Sequence, residues 1–168
     1  DKPEAYALER ARKAGIPAVC VNRKEYEDRE QFEKALIEEL AQAGVTLVVL
    51  AGFMRILTPY FVRAYAGRIM NIHPALLPSF PGAHAHRDVL AYGVKVSGCT
   101  IHFVDEGTDS GPIIAQAAVP VLDGDTEETL GARVLKEEHR LYPQVIEWYC
   151  EGRLQVEGRK VCVLPEKS

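Results

Sequence analysis

The sequence predicts an α/β fold with a mostly parallel central sheet, flanking helices and a carboxyl-terminal hairpin. Segments with apolar residues at three- and four-residue steps alternate with short β-branched runs, and this alternation is typical of βαβ units. The run 45–50 is rich in apolar and β-branched residues, as expected for a central strand covered on both faces. The tail, residues 153–164, alternates on either side of Glu157 and Gly158, which indicates a hairpin.

The elements of the first half follow from apolar spacing and from residues that end helices. Gly15 and Gly44 each follow an amphipathic segment and end it, and Thr58 can cap a short helix that has Pro59 in its first turn. The predicted elements are helices over 3–14 and 29–43, a short helix after Thr58, and strands over 18–21, 45–50 and 68–72.

The second half begins with an irregular segment. Residues 71–86 contain three prolines, which exclude regular structure there and predict a rigid loop. Asp125 and Glu128 are spaced as in a capping box, and Pro143 should bend the long helix that follows. The predicted elements are helices over 86–92 and 126–150, strands over 99–104 and 112–121, and the terminal hairpin.

Composition limits the function classes. The chain has 168 residues, 47% of them hydrophobic, and a formal net charge of −4, which predicts one soluble globular domain over residues 1–168. Without a lysine and arginine cluster we expect no nucleic-acid partner. The longest largely apolar run, 45–53, is shorter than the ~20 residues of a membrane span, so no membrane role is expected. The four cysteines form no C-x-x-C pair, which favours free thiols in the cytoplasm.

Asn71 and His73 are the first candidates for chemistry. Both lie at the carboxyl end of a predicted strand, where alternation points them to the same side. An amide donor beside an imidazole could stabilise the oxyanion that develops in acyl transfer. The alternative is that both are hydrogen-bonded residues of an ordinary strand end.

Asp109 lies in a glycine-containing loop, residues 105–111, between two predicted strands. If this acidic loop folds back onto His73, the carboxylate would favour the charged imidazolium. The alternative is a solvated acidic hairpin. His102 and His139 are interpreted as structural. His84 and His86 lack a third ligand at metal-binding spacing, so we expect no metal.

The segment 51–57 follows the predicted central strand and is largely apolar, which suggests the wall of a pocket for a flat heterocycle. For Phe53 and Ile56, packing in the core is the preferred interpretation. No glycine-rich phosphate-binding pattern occurs in the chain.

Four segments together resemble one enzyme family. They are LAGFMRIL (50–57), NIHPALLPSFPG (71–82), HAHRDVL (84–90) and HFVDEGTDSGPII (102–114). This set closely resembles the folate-dependent formyltransferases that act on glycinamide ribonucleotide in purine synthesis. The resemblance covers nearly the whole chain and implies a Rossmann-like formyltransferase fold.

The resemblance also implies a reaction and a set of site residues. The amine of glycinamide ribonucleotide attacks the formyl carbon of 10-formyltetrahydrofolate, without a covalent enzyme intermediate and without a metal. The residues that match the family's sites are Asn71, His73 and Asp109 for catalysis, Arg29, Met54, Arg55, Ile56, Leu57 and Asn71 for the folate, and Glu138 for the nucleotide. Pro78 matches the position where the family carries a cis peptide bond.

One departure and three alternatives accompany this resemblance. The family pattern starts with a strand, a phosphate-binding loop and a helix that precede the residues of this chain, so we expect this chain's own activity to depend on that piece. A 10-formyltetrahydrofolate hydrolase would use the same triad with water as the nucleophile. A methionyl-tRNA formyltransferase would need a basic RNA-binding domain, and a noncatalytic folate-binding fragment is the third alternative. A homodimer is one assembly to test.

Overall fold

The structure, a computed structural model, describes residues 1–168 and divides into two compact units. The first unit comprises residues 1–46 and 57–64, and the second comprises residues 47–56 and 65–168. The single formyltransferase domain expected over residues 1–168 stays a prediction. The helices are α1 (Tyr6–Lys13), α2 (Arg29–Gln42), α3 (Pro59–Ala64), α4 (Ala85–Tyr92) and α5 (Glu127–Cys150). The strands are β1 (Val48–Leu50), β2 (Ile69–His73), β3 (Val96–Phe103), β4 (Ile113–Pro120), β5 (Leu154–Glu157) and β6 (Lys160–Val163).

All six strands form one sheet in the order β1-β2-β3-β4-β6-β5. The α/β class is confirmed, as is the terminal hairpin formed by β5 and β6. The sheet is more mixed than predicted: β1–β2 and β4–β6 pair in parallel, whereas β2–β3, β3–β4 and β5–β6 pair antiparallel. The β3–β4 and β5–β6 pairs are antiparallel because short connections between consecutive strands turn the chain back on itself, whereas the antiparallel β2–β3 pair is joined by a longer segment that contains α4.

The predicted central strand is shorter and lies elsewhere in the sheet. β1 begins at Val48, where its parallel register with Ile69 of β2 begins, and it is the strand at one end of the sheet. Its middle residue, Val49, is 38% exposed, so the expected burial on both faces does not hold there. The prediction failed because apolar composition reports a tendency to be buried and does not specify a strand's neighbours.

The hydrophobic core of the second unit lies between the sheet and two helices. β3 and β4 contribute alternate side chains to it, and α4 and α5 contribute the residues at helical spacing. Its fully buried members include Met70, Val89, Cys99, Ile101, Leu130, Val134 and Val145. None of the helices is long and apolar enough to cross a membrane.

Helix α5 starts with a different cap from the one predicted. Thr126 is the N-cap, and its side chain and that of Thr129 exchange hydrogen bonds with each other's backbone in a capping box. Asp125 is instead held by Arg133, whose guanidinium donates to both carboxylate oxygens at 2.7 and 2.9 Å. The helix continues through Pro143 to Cys150. The loop after β2 contains the cis peptide bond Leu77–Pro78 that the family resemblance implied.

The first unit packs α2 and α3 around buried apolar side chains, including Phe32 and Phe61. Glu33 is only 1% exposed, and its carboxylate accepts hydrogen bonds from the backbone and the hydroxyl of Thr58, directly before α3. Residues 18–21 were predicted to form a strand, but the structure assigns them none. β-Branched composition alone does not form a strand, which requires hydrogen bonds to a neighbour.

Candidate active site

Asn71 and His73 lie on β2 two residues apart, and Ile72 between them packs against the core. The alternation predicted from the sequence therefore holds. His73 is 4% exposed, whereas Asn71 is half-buried. In the antiparallel register with β3, Asn71 faces His102 and His73 faces Thr100. The neighbours of both candidates therefore come from a strand about thirty residues further along the chain.

The acidic loop brings Asp109 to His73. Oδ2 of Asp109 lies 3.6 Å from Nδ1 of His73, within ion-pair range but too long for a hydrogen bond. The other ring nitrogen, Nε2, donates to the carbonyl of Phe80 at 2.7 Å. Both ring nitrogens therefore face oxygen acceptors.

The acidic loop is held in place at several points. Oδ1 of Asp105 accepts from the backbone of Gly107 at 2.9 Å and from the hydroxyl of Ser110 at 2.6 Å. Oδ2 of Asp109 accepts from the backbone of Gly82 at 2.9 Å, which joins this loop to the one after β2. Gly111 leaves no room for a side chain, because a Cβ there would lie 1.7 Å from the carbonyl oxygen of Phe103.

His102 is a neighbour of the site that the sequence interpretation treated as structural only. Its Nδ1 donates to the carbonyl of Phe103 at 3.0 Å, so in the neutral ring Nε2 is free to accept. Nε2 lies 3.3 Å from Nδ2 of Asn71, whose amide it orients. Burial lowers the pKa of His102, opposed by the Phe103 hydrogen bond and by Asp109, so the neutral, accepting ring is favoured.

A second missed neighbour is Thr100, opposite His73. Its buried hydroxyl donates to the carbonyl of Ala75 at 2.7 Å and accepts from the backbone of Leu77 at 3.0 Å. Gln116 of β4 donates to the Thr100 hydroxyl and to the carbonyl of Leu77. This network fixes the loop that begins at His73. Only the strand register could have revealed it, because Thr100 carries no motif of its own.

The segment 54–57 is largely exposed. Met54 is 72% and Ile56 59% exposed, and Arg55 is exposed as well. The core packing preferred for Ile56 is therefore wrong, because an apolar residue type does not by itself show that a loop side chain is covered. Leu57 is buried. Leu57 and Arg29, the first residue of α2, belong to the first unit, and their place in a folate site stays a prediction.

Two residues of α5 lie one turn apart in the second unit. Glu138 is half-buried, and this burial raises the pKa of its carboxyl group, opposed by the charges of His139 and His73. Tyr142 is buried, and its hydroxyl donates at 2.7 Å to the carbonyl of Leu50, the last residue of β1. Leu50 is in turn the register partner of Asn71. The structure contains no group of three or more His, Cys, Asp or Glu that could hold a metal ion.

Comparisons with known proteins identify the family of the chain. The formyl transferase family matches residues 1–146. Phosphoribosylglycinamide formyltransferase of Escherichia coli (strain K12) is 48% identical over 93% of this chain and 74% of its own length. The trifunctional purine biosynthetic protein adenosine-3 of Gallus gallus is also 48% identical, but the chain spans only 16% of that relative.

Solved structures include the same class of enzyme. Glycinamide ribonucleotide transformylase 1 from Symbiobacterium toebii superposes with a TM-score of 0.96 at 54% identity, over 98% of this chain and 78% of that one. A formyltetrahydrofolate deformylase from Pseudomonas syringae has a TM-score of 0.84 at 32% identity, over 94% of this chain and 52% of that one. With the matched family spanning most of the chain and nearly half of its residues shared with the bacterial enzyme, this protein belongs to the formyl transferase family, in its phosphoribosylglycinamide formyltransferase branch.

Proposed function

We propose that this chain transfers the formyl group of 10-formyltetrahydrofolate to the amine of glycinamide ribonucleotide, a step of purine biosynthesis. The observation that carries the proposal is the meeting of Asn71, His73 and Asp109 at the carboxyl end of β2. In α/β sheets this end of a strand is where ligands bind. Residues 1–168 act in this proposal as a single formyltransferase domain in the cytoplasm.

The proposed chemistry uses the hydrogens that these side chains hold in place. The amine nitrogen bonds to the formyl carbon, the bond from that carbon to the folate nitrogen breaks, and one proton moves from the amine to the leaving nitrogen. One Nδ2 hydrogen of Asn71 is directed to His102, and the second donates to the oxyanion. The Nε2 hydrogen of His73 donates to the oxyanion in place of the Phe80 carbonyl, while Asp109 orients the ring from the side of Nδ1.

The binding residues are proposed on the family resemblance, and the exposure of Met54, Arg55 and Ile56 supports it. Met54, Arg55 and Ile56 present an exposed surface next to the end of β1, and we assign them to the folate with Arg29, Leu57 and Asn71. Glu138 is assigned to the nucleotide substrate. Its carboxylate oxygens are acceptors for an amine, and burial raises the pKa of the group.

The test is a formyl-transfer assay with glycinamide ribonucleotide and a 10-formyl folate. It is run on this chain and on the same chain preceded by the amino-terminal segment of a matched relative, which tests the expected need for a phosphate loop. His73→Ala and Asp109→Ala should each lower kcat by about 10²- to 10⁴-fold, the usual range for lost acid–base and oxyanion groups. His84→Ala, which removes an exposed histidine outside the proposed catalytic set, is the matched control and should keep its activity. Wild-type turnover that persists in both site variants would contradict the mechanism.

A second candidate function is hydrolysis of the formyl folate. The similarity to a formyltetrahydrofolate deformylase favours it, since the same triad could activate water. Formate released at the full rate without glycinamide ribonucleotide would identify the hydrolase, whereas product formed only with the amine would exclude it.

A homodimer is also proposed, and sedimentation equilibrium would test it.

A further inference from the structure

The terminal hairpin contacts the acidic loop. Arg159, in the turn between β5 and β6, donates through Nη2 to the carbonyl of Ser110 at 2.6 Å and, more weakly, to that of Gly111 at 3.5 Å. Ser110 directly follows Asp109. The hairpin lies beyond residue 146, where the family match ends. This contact with the proposed site therefore comes from a part of the chain that the family match does not include.

The position of Arg159 is set by the sheet. Its neighbour Lys160 is the register partner of Ile113, the first residue of β4, and Ile113 lies two residues after Gly111. The parallel pairing of β4 with β6 therefore places the guanidinium at the end of the acidic loop. An arginine side chain presents several donors in a fixed plane and remains charged, so a carbonyl is a suitable acceptor for it.

Asp109 needs such restraint. Its φ is +50°, in the left-handed region that non-glycine residues adopt at a cost, so the surrounding structure must hold it there. Three hydrogen bonds do this. Within the loop, the Ser110 hydroxyl donates to the Asp105 carboxylate; the Gly82 amide donates to the Asp109 carboxylate; and the Arg159 guanidinium donates to the Ser110 carbonyl.

We propose that Arg159 is a positioning residue of the proposed active site, which holds the end of the acidic loop and thereby keeps the Asp109 carboxylate against His73. The proposal rests on the proposed function, because Asp109 acts there as the partner of His73. It adds the carboxyl-terminal hairpin to the parts of the chain on which catalysis depends.

The test compares Arg159→Ala with Lys160→Ala, which removes a neighbouring exposed cation from the same hairpin. Two readouts are measured: kcat for formyl transfer and hydrogen exchange of the Gly82 amide. The Gly82 amide donates a hydrogen bond to the Asp109 carboxylate, so its exchange rate reports whether that carboxylate stays in position. For one exposed, charge-assisted hydrogen bond we expect Arg159→Ala to lower kcat and to speed Gly82 exchange by about threefold to tenfold each. The KM values should change less than kcat, because His73 acts on the transition state. Arg159→Lys, which keeps one donor, should lie between Arg159→Ala and the wild type.

A double variant identifies the route of the effect. In an Asp109→Ala background, adding Arg159→Ala should cause no further loss of kcat, since the residue through which Arg159 acts is already removed. Equal Gly82 exchange in Arg159→Ala and Lys160→Ala would overturn the proposal, as would faster exchange with unchanged kcat. If neither this chain nor the chain preceded by the relative's amino-terminal segment shows turnover, the proposed function fails, and the Gly82 comparison alone decides whether Arg159 holds the loop.

Discussion

Replacing Tyr142 by phenylalanine tests the link between α5 and the end of β1. The change removes only the hydroxyl that donates to the carbonyl of Leu50 at 2.7 Å, and it keeps the ring that packs in the core. No cavity is created, so the loss comes from one hydrogen bond. Burial raises the pKa of Tyr142, so the hydroxyl stays protonated and remains a donor throughout the working pH range.

The magnitude follows from the pairing of Leu50, whose carbonyl remains part of the β1–β2 ladder when the tyrosine hydroxyl is removed. One hydrogen bond contributes about 0.5–1.5 kcal/mol net. We therefore expect a loss of about 0.5–1.5 kcal/mol, which corresponds to a fall in Tm of roughly 1–6 °C. Leu50 is the register partner of Asn71 and precedes the 54–57 segment, so the KM for the formyl folate should rise by about threefold as well.

The assay is urea unfolding followed by circular dichroism, together with steady-state kinetics. Tyr149→Phe is the matched control: it lies on the same helix, and its ring packs against Phe103. The control should leave both the free energy of unfolding and the folate KM near their wild-type values. The same small loss of stability in both variants would refute the reasoning. A loss of stability with an unchanged folate KM would limit the role of Tyr142 to folding.

Two further predictions concern packing and pH. Gly98→Ala should destabilise the chain by about 1–3 kcal/mol, because a Cβ there would lie 1.9 Å from a backbone carbonyl of β4. Gly124→Ala, where nothing lies within 4 Å, should be neutral or slightly stabilising, and equal Tm values for the two variants would contradict this. The hydrogen bonds from Arg133 hold the pKa of Asp125 well below its usual value, so the stability that Asp125 contributes is present above about pH 4 and is lost as the pH falls further. Asp125→Asn should therefore lower the urea midpoint of unfolding at pH 7, and the difference from the wild type should shrink as the pH falls below about 4. The control Asp123→Asn, at an exposed position, should have little effect on the midpoint at any pH.

The elements with the strongest local signals were predicted within a few residues of their observed ends. Helix α5 and the terminal hairpin are examples, because helical spacing over many turns and a glycine turn between alternating residues are local properties. The failures are equally informative. Residues 18–21 have strand composition but no pairing, and β1 has the composition of a central strand but lies at one end of the sheet. Strand pairing is a long-range property that composition does not encode.

The candidate site likewise combines features that the local sequence predicts with contacts that depend on long-range strand pairing. The sequence by itself determined that Asn71 and His73 point to one side of a strand end, since that depends only on the two-residue period of a strand. The sequence also offered Asp109 as a carboxylate that would reach His73 if its loop folds back, and the family resemblance assigned it to catalysis. Only the tertiary structure decided that Asp109 lies 3.6 Å from His73, that His102 orients Asn71, and that Arg159 binds the carbonyl next to Asp109. Each of these contacts joins segments brought together by the pairing of β2 with β3 or of β4 with β6, and hydrogen bonds between residues so far apart in the chain exist only once the sheet has formed.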